Sequence, residues 1–189
     1  MLPLEPEFIL FDTEYTTWEG AAERNWSGPG EHKEIVQIGA VLVRADSLCA
    51  TGHLMFYVLP VINPKLSDFF IRLTGISQET VDTSGCSYSD ALARFKGWAG
   101  ETPLYSWGLD LRVMEGNAKL IDTPFPFMVA PKTDIRSMFQ AHGIDATKYH
   151  SSTIPRAFGE EPPPNGHDAL NDALSILQGL RALKRTLQA

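Results

Sequence analysis

The stretch Phe8 to Gly20, FILFDTEYTTWEG, carries a conflict that any fold of this chain has to resolve. Four residues suited to burial, Phe8, Ile9, Leu10 and Phe11, lead directly into Asp12 and Glu14, with one threonine between the acids. Side chains at i and i+2 of a strand leave the same face, so the two carboxylates stand side by side on an element heading for a core. Like charges placed in this way repel. The rest of the chain must bring a Lys, an Arg or a divalent cation to them, and further acids elsewhere in the sequence would favour the cation.

Two more strand-like segments follow, Glu34 to Val43 (EIVQIGAVLV) and His53 to Leu59 (HLMFYVL), both short and rich in β-branched and aromatic residues. With Phe8 to Phe11 they predict three neighbouring strands in an antiparallel meander. Tyr15 to Lys33, with Gly20, Gly28, Pro29, Gly30, Trp18 and Trp26, reads as a long irregular loop. Such loops inside compact domains are usually functional. Beyond Leu59 the pattern turns helical: one helix over Asn63 to Ser77, and a second with Ser89 as its N-cap and Ala91, Leu92, Phe95 and Trp98 on one face.

Thr102 to Gly108 reads as another strand, and LDLRVMEGNAKL as the helix after it. Asp110 falls at that strand-to-helix junction, where α/β proteins often keep active-site residues. Lys132 to His142 is expected to be helical and to stop at Gly143. Pro162, Pro163, Pro164 and Gly166 keep the last helix from starting much before His167, and Leu174, Leu177, Leu180 and Leu183 bury one of its faces. There is no internal repeat and no linker, so 189 residues predict one domain, 1–189.

Sixteen Lys and Arg against twenty-three Asp and Glu give a net charge of −7, which argues against strong non-specific attraction to long duplex DNA. It does not exclude nucleic acid as a substrate, because acids that hold cations count as negative in the tally yet form a locally positive site once loaded. The N-terminus lacks a basic segment followed by a long apolar one, and no run reaches about 18 apolar residues, so no membrane association and a cytoplasmic location are expected. Cys49 and Cys86 lack CxxC spacing and are expected to be reduced packing residues.

Near the end, GHDALNDAL sets His167 five positions before Asp172. Five helical residues turn through about 140°, so the two share a site only if His167 lies in the loop ahead of the helix. The proline run favours that. Singly, Asp12 and Glu14 read as surface acids, Asp110 as a helix cap, His167 as a loop histidine and Asp172 as a solvated partner of the helix dipole.

In order along the chain, however, DTE in the first strand, SWGLDLR around Asp110 and HDALNDA from His167 resemble the three motifs of the DEDDh 3′→5′ exonuclease family. Pro60 to Asp82, PVINPKLSDFFIRLTGISQETVD, is similar to the connecting segment of its RNA-trimming, enhanced-RNA-interference-type branch. The resemblance covers about residues 7 to 185. It implies an α/β, RNase H-like exonuclease fold with a central mixed five-stranded sheet flanked by helices.

The resemblance also implies a chemistry: two Mg²⁺ ions, with Mn²⁺ able to substitute, Asp12 bridging both, Glu14 and Asp172 completing the site that activates water, and Asp110 holding the second ion. His167 would accept the proton of the attacking water. The implied substrate is the 3′ end of a single-stranded nucleic acid, RNA favoured over DNA, released as nucleoside 5′-monophosphates. A DNA exonuclease, a short-oligonucleotide nuclease and a non-catalytic binding module on the same fold remain alternatives. Thr17, Leu73 of the LTGI segment and Trp107 are candidates for substrate contact, although Trp107 read by itself is equally a core tryptophan. Two departures from the family pattern stand out. Asp168 replaces a small or apolar residue and, if it faces the site, would raise the pKa of His167. The Tyr15 to Lys33 loop carries Trp18 and Trp26, which either stack on bases or pack on the domain.

Overall fold

The computed structural model describes residues 2–127 and 134–188. β1 (Glu7–Tyr15), β2 (Ile35–Arg44) and β3 (Cys49–Val58) form the expected antiparallel meander. Two short strands complete the sheet: β4 (Gly85–Cys86) runs parallel to β3, and β5 (Leu104–Tyr105) runs parallel to β1. The order is β4-β3-β2-β1-β5, a mixed five-stranded sheet.

Alternation along β1 divides the core between the two faces of the sheet. Ile9 and Phe11 pack with Ile38, Phe95, Leu111 and Met114 beneath α3 (Tyr88–Ala99) and α4 (Asp110–Leu120). Phe8 and Leu10 pack with Val41, Phe139, Ile176, Leu177 and Leu180 beneath α5 (Arg136–Ala141) and α6 (Ala169–Thr186). A third cluster, Val36, Leu66, Phe70, Ile76 and Val81, ties α1 (Asp68–Thr74) and α2 (Gln78–Ser84) to β2. Among the described residues no helix is long and apolar enough to cross a membrane.

Several boundaries differ from the sequence reading, each for a local reason. β1 continues through Tyr15, so Asp12 and Glu14 lie inside the strand, opposite Gly39 and Gln37 of β2. The expected helix over Asn63 to Ser77 contracts to α1: Ser67 accepts from the Phe70 N–H as N-cap, and Gly75 closes the helix with φ 73°. Ser87, rather than Ser89, caps α3, because its hydroxyl accepts from the Asp90 N–H. The strand expected over Thr102 to Gly108 reduces to β5 and a single bridge from Ser106 to Asp134. α5 begins at Arg136, and Lys132 and Thr133 of the expected helix lie outside the described residues. An unexpected 3₁₀ segment, Ser151–Phe158, packs Ile154 against Gly179 of α6.

Candidate active site

The acids are brought together by how α6 docks on β2. A Cβ on Gly39 would lie 2.2 Å from the Leu170 nitrogen, so the first turn of α6 rests directly on the β2 backbone. Gln37 completes the docking: its Oε1 accepts from the Ala169 N–H at 2.8 Å, and its Nε2 donates to Asp168 Oδ2 at 2.8 Å. Gly39 and Gln37 are the cross-strand partners of Asp12 and Glu14. The contact that seats α6 therefore also sets Asp172 against the two strand acids. In the sequence, the signal for this was a glycine and a glutamine interrupting an otherwise apolar strand.

His167 lies ahead of α6, as the proline run implied, in a turn where Asn165 and His167 both take positive φ, 59° and 65°. That conformation aims the His167 N–H at Asp172 Oδ1 (3.2 Å), while Ser151 Oγ donates to Asp172 Oδ2 at 3.0 Å. Asp110 enters from the end of β5, at the first turn of α4, and accepts from Thr13 Oγ1 at 2.7 Å. Asp12, Glu14, Asp110 and Asp172 are 6%, 8%, 8% and 2% exposed, so none is the solvated surface acid that each could have been alone.

Four carboxyls buried together disfavour their own ionisation. Burial first, then the neighbouring acids, pushes Asp12 and Glu14 well above the usual carboxylate range. Asp110 rises to about 6 and Asp172 to about 7, each chiefly through burial and each partly restrained by the hydroxyl that donates to it. Cations are the natural counter-charge, and hard ones suit an oxygen donor set. Glu14, His167 and Asp172 offer ligand atoms that all lie within 4.8 Å of one another, a group able to hold a divalent metal ion.

The imidazole of His167 is half-buried, and that burial, with the positive field of His150, lowers its pKa. It is therefore neutral at neutral pH. Asp168 does not point its carboxylate at the ring: it caps α6, accepting from the Asn171 N–H and from Gln37. The concern raised by this departure from the family pattern is answered by capping.

All five residues line one cavity of about 630 Å³, together with Thr17, Leu73 and Trp107. Leu73 stands with Phe69 one turn apart on α1. Trp107 is half-buried and lies at the edge of the core. It packs edge-on to Phe139 at 5.2 Å and donates to the Tyr149 carbonyl at 3.1 Å, yet it borders the cavity. From the Tyr15 to Lys33 connection, Trp18, Trp26 and Lys33 form a wall. Trp26 is packed on the domain, edge-on to Tyr15 at 5.5 Å with its N–H on the Thr16 carbonyl. Sequence reasoning missed His150 and Ser151, whose neighbourhood, KYHSSTIP, has no pattern of its own. It also missed Glu34, whose buried carboxylate accepts from the N–H groups of Val61, Ile62 and Asn63 and holds the connecting segment.

A family model described as an exonuclease, RNase_T, matches residues 9–180. Over 90 residues, 48% of the chain, it is 37% identical to the 3′-5′ exonuclease Snipper of Drosophila melanogaster, and over 89 residues 34% identical to the human 3′-5′ exoribonuclease 1. These matches span 30% and 24% of those proteins' lengths. In three dimensions, the nuclease domain of 3′hExo, described as a DEDDh family member bound to rAMP, superposes with a TM-score of 0.79 at 24% identity, covering 97% of this chain and 92% of that one. Escherichia coli exonuclease I in complex with single-stranded DNA gives 0.68 at 15% identity, covering 97% and 41%. At those identities the likeness is one of fold.

Proposed function

The chain belongs to the RNase_T exonuclease family, and from that premise we propose that it hydrolyses phosphodiester bonds at the 3′ end of single-stranded nucleic acid, RNA in preference to DNA, releasing nucleoside 5′-monophosphates. One observation carries the reading: four buried carboxyls converge with His167 in a solvent-open cavity, a cluster costly to keep without a cation and suited to binding one. RNA is favoured by the names of the relatives, an exoribonuclease among them.

Asp12, Glu14, Asp110 and Asp172 would hold two divalent cations, Mg²⁺ or Mn²⁺. Such ions offset the charge of the attacking and departing oxygens in phosphoryl hydrolysis. His167 accepts the proton of the attacking water at a ring nitrogen; its lowered pKa keeps that nitrogen free at neutral pH. The oxygen donors suffice for a hard ion, which leaves the imidazole for the proton. Ser151 and Thr13 orient Asp172 and Asp110 by donating to one oxygen of each. Phe69 and Leu73 offer an apolar surface to the terminal base, and Thr17 and Trp107 border the same space.

The test is a set of 5′-labelled ladders on single-stranded RNA, single-stranded DNA and a circular strand, with Mg²⁺, Mn²⁺ or EDTA. Shortening from the 3′ end, dependent on metal and faster on RNA, is expected. Cleavage of the circle or digestion from the 5′ end would refute an exonuclease. Faster loss of DNA would overturn only the substrate preference, and binding without hydrolysis would favour the non-catalytic module.

A further inference from the structure

Two shallower grooves open from the catalytic cavity, and they differ in charge. One shares Leu73 and continues past Thr74, Asn165, Asn171 and Asp168; among the described residues Asp168 is its one charged residue. The other, of about 380 Å³, shares Lys33, Leu109 and Val113 with the cavity and continues past His32, Arg112 and Leu120. Among the described residues Lys33 is the one Lys or Arg that lines the cavity itself, on a surface otherwise charged by acids.

Lys33 and Arg112 are both available. Among the described residues neither takes part in a side-chain ion pair or donates a side-chain hydrogen bond. The Lys33 ammonium sits 3.9 Å above the Trp26 ring and 5.6 Å from that of Tyr15, which steadies it by cation–π attraction without neutralising it. Arg112 is exposed on the first turns of α4. The two walls of the groove are held together by buried Asn117 of α4. Its Oδ1 accepts from the Ile35 N–H at 2.8 Å and its Nδ2 donates to the Lys33 carbonyl at 2.6 Å. Lys33 and Arg112 thus keep a defined relation. Beside them Leu109 and Leu120, 59% and 44% exposed, supply apolar surface.

We propose that the polynucleotide upstream of the scissile bond leaves the cavity over Lys33 and runs along the groove between the β1–β2 connection and α4, with Lys33 and Arg112 as its phosphate contacts. This rests on the exonuclease reading and adds a direction to it. A polyanion leaving past Leu73 would instead pass the Asp168 carboxylate in a groove that, among the described residues, no Lys or Arg lines. Charge complementarity selects the first path, and Leu109 and Leu120 accept base surfaces between the phosphates. The groove is short and carries two cations, so the benefit of added nucleotides ends within a few residues.

The test compares a single-stranded RNA octanucleotide with a dinucleotide, measuring kcat/KM with Mg²⁺ and, separately, the binding of 5′-fluorescein-labelled octanucleotide by anisotropy with Ca²⁺ over a salt series. Arg112→Met is expected to lower the octanucleotide-to-dinucleotide ratio of kcat/KM by roughly three- to tenfold. It should also reduce the slope of log affinity against log salt by about 0.7, the value of one single-strand phosphate contact. Lys33→Met should do the same, and Lys33→Arg should restore the slope. Unchanged ratio and slope in both Met variants would overturn the path, as would transfer of the loss to Asn171→Ala in the other groove. Reduced slopes in the two Met variants, with neither oligonucleotide hydrolysed by the wild-type protein, would keep the path and refute the exonuclease reading. A wild-type kcat/KM that shows no gain from dinucleotide to octanucleotide would refute the path.

Discussion

The floor and the wall of the cavity are built on opposite principles. The floor, from β1 and the start of α6, is a set of groups that repel one another and are kept in place by contacts made elsewhere: Gly39 and Gln37 on β2, Ser151 and Thr13 on two hydroxyls. The wall, from Tyr15 to Lys33, is internally favourable. Thr16 Oγ1 accepts from the Glu34 N–H, Trp26 packs on Tyr15, and Lys33 lies over Trp26. The lesson is that charge crowding marks where an ion belongs, whereas a satisfied aromatic and cationic surface marks where a flexible strand can lie.

The largest expected effect lies in the floor. Asp12→Ala and Asp172→Ala should each abolish measurable hydrolysis, while the thermal midpoint of the metal-free protein holds or rises, because each removes one member of a repelling set. A calorimetric Mg²⁺ titration should lose its response in these variants and keep it in Trp26→Ala. Near wild-type turnover in either Asp variant would break the distinction between floor and wall.

Next comes His167→Ala, with a loss of roughly 10² to 10⁴ in rate, the usual share of a positioned proton acceptor. Its pH–rate profile should lose the acidic limb, which in the wild type falls below the ordinary histidine range because burial and His150 lower that pKa. If the limb persists, another group accepts the proton.

Gly39→Ala probes the docking contact itself. A methyl group there meets backbone at 2.2 Å, with no flexible side chain to move aside. Denaturant unfolding should show a loss of about 1 to 3 kcal/mol, accompanied by lower turnover as Asp172 shifts relative to Asp12. Lost stability with full activity would mean that α6 need not sit on Gly39 for the floor to form.

The smallest effect is the pH dependence of stability without metal. Asp110 and Asp172 are raised to about 6 and about 7, so the folded protein holds protons that the unfolded chain has released above about pH 4. Stability must then fall as pH rises through those folded values and level off above them. Melting curves in EDTA between pH 5 and 8 should show a drop of a few degrees that saturating Mg²⁺ removes. A midpoint rising over that range would contradict the burial of uncompensated acids.

How far each region was legible depended on the range of the interactions that make it. The β1–β3 meander was readable because alternation and β-branched content act between chain neighbours, and the motifs around Asp12, Asp110 and His167 were readable as an ordered set. Helix ends were less so. Whether Ser87 or Ser89 caps α3 turns on which hydroxyl meets the Asp90 N–H, a matter of one turn of backbone. The place of Trp107 was undecidable from its neighbours, since packing on Phe139 and bordering the cavity are both long-range facts.

What the amino-acid order determined by itself was the inventory of the site and the conflict within it: a strand delivering Asp12 and Glu14 to one face, and a proline run holding His167 out of the helix that carries Asp172. Tertiary structure alone decided that Asp12, Glu14, Asp110 and Asp172 share a buried space, that Asp168 spends its charge capping α6, and that Lys33 lines the cavity. The reason is physical. Periodicity and caps are set by residues within one or two turns, but the burial of a charge depends on groups such as Gly39 and Ser151, more than a hundred residues apart in the chain, brought to one place by packing.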